Sequence, residues 1–279
     1  MKIISNYHTH THLCNHAKGD TFDYIKEAIA LGFKEIGISD HNALDLDFFN
    51  KHNLHEDFLN YNMSKETFNN IYLKELEEAK KIFKDKIKIY KGSEAEFFIE
   101  DINYYKELKN KLDYLILGIH FYLYNGKLIN SFTSINDDNI EGYFITANNA
   151  IKSGLFKIFA HPDLFIVSYF NDYNEIKFTD KIKKLIDEMC LNAIKYNVAL
   201  EFNINGIRNS YSWGYKNNPL YPNKIFFEYI KKYQKDGLKI VLGIDAHDPK
   251  CLNDKFINMG KKMIKSIGLD ISDCLDFDL

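Results

Sequence analysis

The absences in this sequence exclude several classes of protein before any motif is read. No apolar run reaches the ~18–20 residues that a membrane-spanning helix requires, so no membrane partner is expected. The stretch Met1-Lys2-Ile3-Ile4-Ser5-Asn6 leads straight into histidines, without the apolar core or cleavage site of a secretory signal. The four cysteines, Cys14, Cys190, Cys251 and Cys274, stand far apart with no CxxC spacing. That speaks against a disulfide framework or a thiolate zinc site, and predicts reduced thiols in a cytoplasm. No GxxxxGK[ST] loop and no GxSxG elbow occurs. Charge of one sign is also missing: a net charge of -3 argues against a long nucleic-acid partner and against a disordered acidic tail. Arginine is almost absent, because Arg208 is the only one among 36 Lys plus Arg residues. No low-complexity segment or Pro/Gly-rich linker divides the chain, so residues 1–279 are read as a single domain.

What is present is an ordinary globular composition, 46% hydrophobic and 27% charged, at a length that can bury a large core. Seven short β-branched runs recur along it: Ile3–Tyr7, Glu35–Ser39, Ile87–Lys91, Tyr114–Gly118, Lys157–Ala160, Val198–Phe202 and Ile240–Gly243. Segments of helical periodicity lie between them. Phe22, Ile25, Ala28 and Ile29 form one apolar face after the N-cap candidates Asp20-Thr21, and Gly32 stops it. Ile182, Leu185, Ile186, Met189 and Ala193 repeat the pattern after Thr179. Asp138 and Glu141 are spaced as a capping box. Asn125-Gly126 marks a hairpin turn. Strands alternating with helices predict parallel βα units, and seven of them favour a closed or nearly closed barrel over an open sheet. Two longer connections, 42–63 and 203–223, break the rhythm, as functional loops do.

A metal-ligand residue type follows every one of the seven runs. In chain order these are His8-Thr9-His10, Asp40-His41, Gly92-Ser93-Glu94, His120, His161, Glu201 with Asn203, and Asp245-Ala246-His247. In a parallel barrel all strand C-termini open onto one face, which carries the active site. A single histidine after a strand is commonly an ordinary polar residue; the repetition carries the inference. His8, His10, His16, His41, Glu94, His120, His161, Asp245 and His247 give nine candidate ligands. One catalytic ion takes about three, so two or three ions are expected. Imidazole with carboxylate suits zinc, manganese or iron rather than calcium or magnesium. Such clusters hydrolyse phosphate esters, and Arg208 suits a bidentate grip on phosphate. Of the other histidines, His12 is expected to face away, and His52 and His55 to be solvated or part of a lid.

These residues, taken in order, resemble the PHP (polymerase and histidinol phosphatase) family. The likeness rests on His8-Thr9-His10-Thr11, Cys14-Asn15-His16-Ala17, Ser39-Asp40-His41, Gly92-Ser93-Glu94-Ala95-Glu96, Gly118-Ile119-His120-Phe121, His161-Pro162-Asp163 and Asp245-Ala246-His247. Within the family it is closest to the monofunctional histidinol-phosphate phosphatases, through His16-Ala17-Lys18-Gly19-Asp20, Asn203-Ile204-Asn205-Gly206-Ile207-Arg208 and Tyr221-Pro222. The resemblance implies a distorted seven-stranded β/α barrel with a trinuclear site. His8, His10 and Asp245 would hold one ion and His120 and His161 a second, with Glu94 bridging; Glu96 competes for the bridge. His16, His41 and His247 would hold the third. Asn203, Asn205, Arg208 and Tyr221 would meet a small phosphorylated substrate, L-histidinol phosphate in the leading reading. A metal-bridging hydroxide would attack phosphorus in line, with Asp40 and Asp163 as acid candidates or as groups that orient neighbouring histidines. Another small phosphate or a nucleotide end is the alternative substrate, and a non-catalytic metal-binding module the remaining reading. Asn6 stands where many members have Asp and cannot supply the negative charge that raises a ligand's basicity.

Overall fold

Each of the seven runs contains a strand. Residues 2–44, 46–52, 54, 62–170 and 176–277 are those described by the computed structural model. The strands are β1 (Ser5–Asn6), β2 (Glu35–Ile38), β3 (Lys88–Lys91), β4 (Glu94–Ala95), β5 (Ile116–Leu117), β6 (Phe121–Tyr124), β7 (Lys127–Asn130), β8 (Ile158–Phe159), β9 (Ala199–Asn203) and β10 (Ile240–Gly243). All pair in parallel except the β6–β7 hairpin. Asn125 and Gly126 turn that hairpin with φ of 51° and 72°, as an Asn-Gly turn requires.

The parallel strands fall into a three-stranded sheet, β1-β2-β3, and a five-stranded sheet, β10-β9-β8-β5-β4. Isolated parallel bridges link the two, His41 with Glu94 at one margin and Thr9 with Ala246 at the other. Where the sequence predicts a closed or nearly closed barrel of seven strands, the pairing shows two parallel sheets joined by single bridges and not one continuous ladder. Strand pairing is interrupted between β3 and β4, at Gly92-Ser93.

The longer helices are α1 (Thr21–Ala30), α2 (Leu46–His52), α3 (Leu73–Ile82), α4 (Ile102–Lys111), α5 (Ile140–Lys152), α6 (Asp180–Lys195), α7 (Ile204–Ser212), α8 (Lys224–Ile230) and α9 (Lys255–Ile267). Asp20 and Asp23 cap α1 reciprocally, and Thr179 caps α6. The Asp138–Glu141 box does not form: α5 starts at Ile140, and Asn139 at its N-cap accepts from Asn136 N instead. Part of the connection 203–223 is helical, because Asn203 caps α7 through Gly206 N. In the connection 42–63, α2 packs Phe48 and Phe49 with Leu44 and Phe98. There His52 is buried, stacked on Phe98 and 2.5 Å from Asp101, so of the two expected roles, solvated or part of a lid, the first does not hold. His55 lies outside the described residues.

Two cores result from strand alternation. One packs sheets against helices. The other gathers side chains from strands of both sheets, among them Tyr90, Ile116, Ile158, Ala199 and Val241. Residues near the C-terminal end of the sequence seal it. Phe277 stacks on Tyr114 at 4.5 Å and meets Tyr90 and Tyr7 edge-on, while Leu275 N donates to the Tyr7 hydroxyl. Phe277→Ala should destabilise the fold by about 3 kcal/mol in urea unfolding, the usual cost of emptying a buried aromatic site. A loss below about 1 kcal/mol would mean that this ring is not seated.

Candidate metal centre and its cavity

Strand register brings the ligands together. Glu94 begins β4, at the bridge to His41, and its side chain is buried. One carboxylate oxygen, Oε2, lies 3.3 Å from His8 Nε2, 3.5 Å from His10 Nε2 and 3.3 Å from His41 Nδ1. The other, Oε1, lies 3.0 Å from His161 Nε2 and 3.7 Å from His120 Nε2. Gly118 makes room for it, since a Cβ there would sit 2.5 Å from Oε1. One carboxylate thus faces two sets of imidazoles, the arrangement that a bridging ligand needs.

Among the described residues, four trios offer ligand atoms within 4.8 Å of one another. His8, His10 and Asp245 form one, and Glu94, His120 and His161 another, both as expected. The third consists of His10, His41 and His247, with His10 where His16 was expected; His16 Nε2 lies 3.0 Å from His247 Nε2. The fourth joins His10 and Asp40 to Cys14, whose thiol donates to Thr11 O. Burial pushes that thiol far up, so it stays protonated and is a poor ligand.

Orientation comes from a surrounding layer of carboxylates and amides. Glu201 accepts from His8 Nδ1 at 2.7 Å and Glu96 from His120 Nδ1 at 2.6 Å, which turns each Nε2 toward Glu94. Gly243 admits Glu201, because a Cβ there would lie 1.6 Å from Oε1. Asn203 Nδ2 donates to Glu201 and to Asp245 Oδ2. Asn6 uses its whole amide: it donates to His8 O and Thr9 Oγ1 and accepts from Ile244 N. His161 and Asp245 are held at φ of 34° and 49°, left-handed backbone that costs energy outside glycine and clusters at functional sites.

The charge pattern fits cations. Burial would lower His8, yet the carboxylates of Glu201, Asp245 and Glu94 outweigh it and hold its pKa well above the ordinary value. Burial and the neighbouring His247 push His10 down to about 3, and burial with His10 holds His41 well below normal. Burial would raise Glu94 and Asp245, but the adjacent imidazoles keep both well below the usual carboxylate range. Asp245 Oδ1 is buried with no hydrogen-bond partner, 3.2 Å from His10 Nε2. A buried acceptor of this kind is satisfied by a cation. The nitrogen and oxygen donors suit a divalent transition metal such as zinc.

The centre floors a cavity of about 480 Å³ whose wall adds Phe121, Phe132, Asn205, Asn209 and Tyr221. Asn205 and Tyr221 stand where the sequence placed them. Four expectations are corrected. Arg208 does not face the cavity: its guanidinium donates to Asp254 Oδ2 at 2.7 Å and to the Ile244 and Cys251 carbonyls at 2.9 Å, clamping α7 to the segment before α9. Asn203 is spent on its cap and on the two carboxylates. Asp40 is buried behind His10, accepting from Thr11 N and Oγ1 at 2.6 Å. Asp163 is buried and accepts from Asn223 N at 2.5 Å. Burial pushes both acids up to about 7, but neither lines the cavity, so neither meets a substrate there. His12 is exposed, as expected. Sequence reasoning missed the orienting roles of Glu201 and Glu96, and the wall residues Phe121, Phe132 and Asn209. The period of two along β9, which puts Glu201 and Asn203 on one face, was the available signal.

The strand ends of this parallel α/β fold thus pool seven histidines, Glu94 and Asp245. Residues 6–205 match the PHP domain, and the chain belongs to that family. No curated protein matches the sequence. Two of the solved structures that resemble it are phosphatases. One, provisionally assigned as the histidinol phosphatase HisK of Listeria monocytogenes, is 19% identical with a TM-score of 0.69, over 91% of this chain and 99% of that one. The other is the histidinol phosphate phosphatase of Lactococcus lactis in complex with zinc, L-histidinol and phosphate. It is 18% identical with a TM-score of 0.66, over 97% of this chain and 95% of that one. At these identities the likeness is one of fold.

Two outcomes follow from this geometry. Arg208→Lys should lower stability by roughly 1.5–3 kcal/mol, as for hydrogen bonds to charged groups, with KM for a phosphomonoester within about twofold. Denaturation and steady-state kinetics together decide this, since a raised KM at unchanged stability would return Arg208 to the phosphate. The second outcome concerns His120. Burial opposes charge on its ring, but Glu96 and Glu94 outweigh it and push the pKa up to about 9. In metal-free protein this stabilisation is complete below the unfolded pKa of about 6.5 and is lost as pH rises through about 9. Metal needs the neutral ring, so zinc affinity should rise with pH toward about 9. Glu96→Gln should move that rise to lower pH in competition titrations, and an unmoved profile would remove Glu96 from the account.

Proposed function

We propose that this protein is a metal-dependent phosphomonoesterase that converts L-histidinol phosphate to L-histidinol and phosphate, in cytoplasmic histidine biosynthesis. In this reading its two sheets are halves of a distorted seven-stranded barrel. One observation carries the proposal: Glu94 stands between two sets of imidazoles at the floor of a cavity that no lysine or arginine lines, among the described residues. A phosphate dianion entering that cavity meets no lysine or arginine among the described residues, while Glu94 and Asp245 would repel it. Two or three bound divalent ions would reverse the sign of the floor, neutralise phosphoryl oxygens and supply an acidified water as nucleophile at neutral pH.

The chain's own part is positioning. Glu94 holds the two ligand sets in one register, and Asp245 joins His8 and His10 from the opposite margin of the strands. Glu201 and Glu96 fix the tautomer of His8 and His120 and raise their basicity as ligands. Because these carboxylates are buried and already hydrogen-bonded, the centre needs little rearrangement as charge develops on phosphorus. Tyr221, with its hydroxyl held by Asn209 Nδ2 at 2.7 Å, walls the side on which the alcohol would lie. The fold shared with the Lactococcus enzyme, which binds zinc, L-histidinol and phosphate, supports the choice of substrate.

Phosphate release by zinc- or manganese-loaded protein tests the proposal, with histidinol phosphate beside sugar phosphates and nucleotides. A kcat/KM above ~10⁴ M⁻¹s⁻¹ for histidinol phosphate alone is expected. Glu94→Gln should cost about 10³-fold or more, the order of loss when a preorganised charge-stabilising group is removed. Slow release from every ester alike would sink the substrate assignment and leave the phosphatase class.

A further inference from the structure

Three aromatic residues from separate segments meet beside the cavity. Phe132 follows β7, Trp213 ends α7, and Tyr221 precedes α8. Their ring centroids lie within 6.5 Å of one another: Phe132 to Trp213 at 6.5 Å and Phe132 to Tyr221 at 6.4 Å, both edge-on, and Trp213 to Tyr221 at 6.2 Å. Phe132 also lies parallel to the His120 ring, 5.9 Å away at 4°. The cluster thus runs from a ligand of the metal centre outward. Tyr221 is fixed by Leu164 and Leu220 and by its bond from Asn209. Trp213 is the chain's only tryptophan and is 45% exposed, although an indole of that size is a costly group to leave in water.

The rest of the lining defines what this wall accepts. Among the described residues it carries no lysine or arginine, and its only carboxylates, Glu94 and Asp245, belong to the floor. Whatever lies beyond the phosphate therefore meets rings and the amides of Asn205 and Asn209. A polyol there would bury hydroxyls against aromatic faces with few partners. A flat ring would instead gain stacking or edge contacts, and the side-chain amide of Asn205 on the cavity wall could bond a ring nitrogen.

We propose that Trp213, resting against Phe132 and Tyr221, is a specificity-determining residue that completes an aromatic seat for a phosphomonoester whose alcohol carries a flat, nitrogen-bearing ring. The inference rests on the phosphatase reading above and adds the residues that select the alcohol. Trp213→Ala should lower the ratio of kcat/KM for phenyl phosphate to that for glycerol phosphate by roughly three- to tenfold, the scale of one aromatic contact. Trp213→Phe should restore most of that ratio, whereas general damage to the fold would lower both activities and leave it unchanged. A second measurement uses the unmutated, zinc-loaded protein. As the sole indole, Trp213 should report L-histidinol added with phosphate by a change in fluorescence, and glycerol with phosphate should give none. An unchanged ratio overturns the seat, and so does a fluorescence that L-histidinol leaves unmoved. If histidinol phosphate is not hydrolysed while the ratio falls and the indole responds, the substrate assignment fails and the seat stands.

Discussion

The backbone pairing of His41 with Glu94 is the joint on which both the architecture and the chemistry turn. Asn42 N donates to Glu94 O, and Glu94 N to Ser39 O, so the three-stranded sheet is fastened to the five-stranded one at the residue that also anchors the cluster. A register shift of one residue there would send the Glu94 side chain to the opposite face of its strand. Five imidazoles would then lose their common carboxylate. Structure and site are therefore not separable at this point: the pairing that joins the sheets also sets the distance between the two ligand sets.

The opposite margin repeats the arrangement with other means. Thr9 bridges to Ala246, His10 N donates to Ala246 O, and Ala246 N donates to His8 O. Asn6 ties the same margin together by hydrogen-bonding the first strand to the segment that leaves β10. Asp245 is thereby held in left-handed backbone within reach of His8 and His10. The strain at Asp245 and His161 persists because the surrounding hydrogen bonds over-determine the backbone. Beneath this layer the tyrosine cluster closed by Phe277 makes a packed floor.

Much of this was legible in the sequence, for a positional reason. Parallel strands end on one face, so residues that follow β-branched runs converge whatever the details of the ladder. That logic brings nine candidate ligands to one end of the strands without any distance, and eight of them fall into the trios that the structure forms. It could not tell which way a side chain turns once the chain leaves its strand. Arg208 was noticed for its rarity, yet rarity carries no direction, and three acceptors around α9 hold it away from the cavity. Asp40 and Asp163 lie as close to strand ends as Glu94 does, but Asp40 is taken up by Thr11 N and Oγ1 and Asp163 by Asn223 N. The aromatic wall was hidden for another reason: with 15% aromatic residues, the rings that face a cavity look like those that fill a core. Periodicity counts seven runs but does not see where a ladder breaks, so the interruption at Gly92-Ser93 was not legible.

The ligands extend in chain order from His8 to His247, which ties the chain's history to its chemistry. During synthesis the first two histidines exist long before Asp245 and His247 leave the ribosome, and no shorter stretch contains the whole set. A metal ion held at the complete centre would therefore have to be captured after residue 247 has been made. Such an ion would span the most distant segments of the polypeptide, and would favour the folded over the unfolded chain in proportion to the logarithm of its free concentration. The cell's supply of the metal would then govern how long each copy survives as well as how fast it turns over.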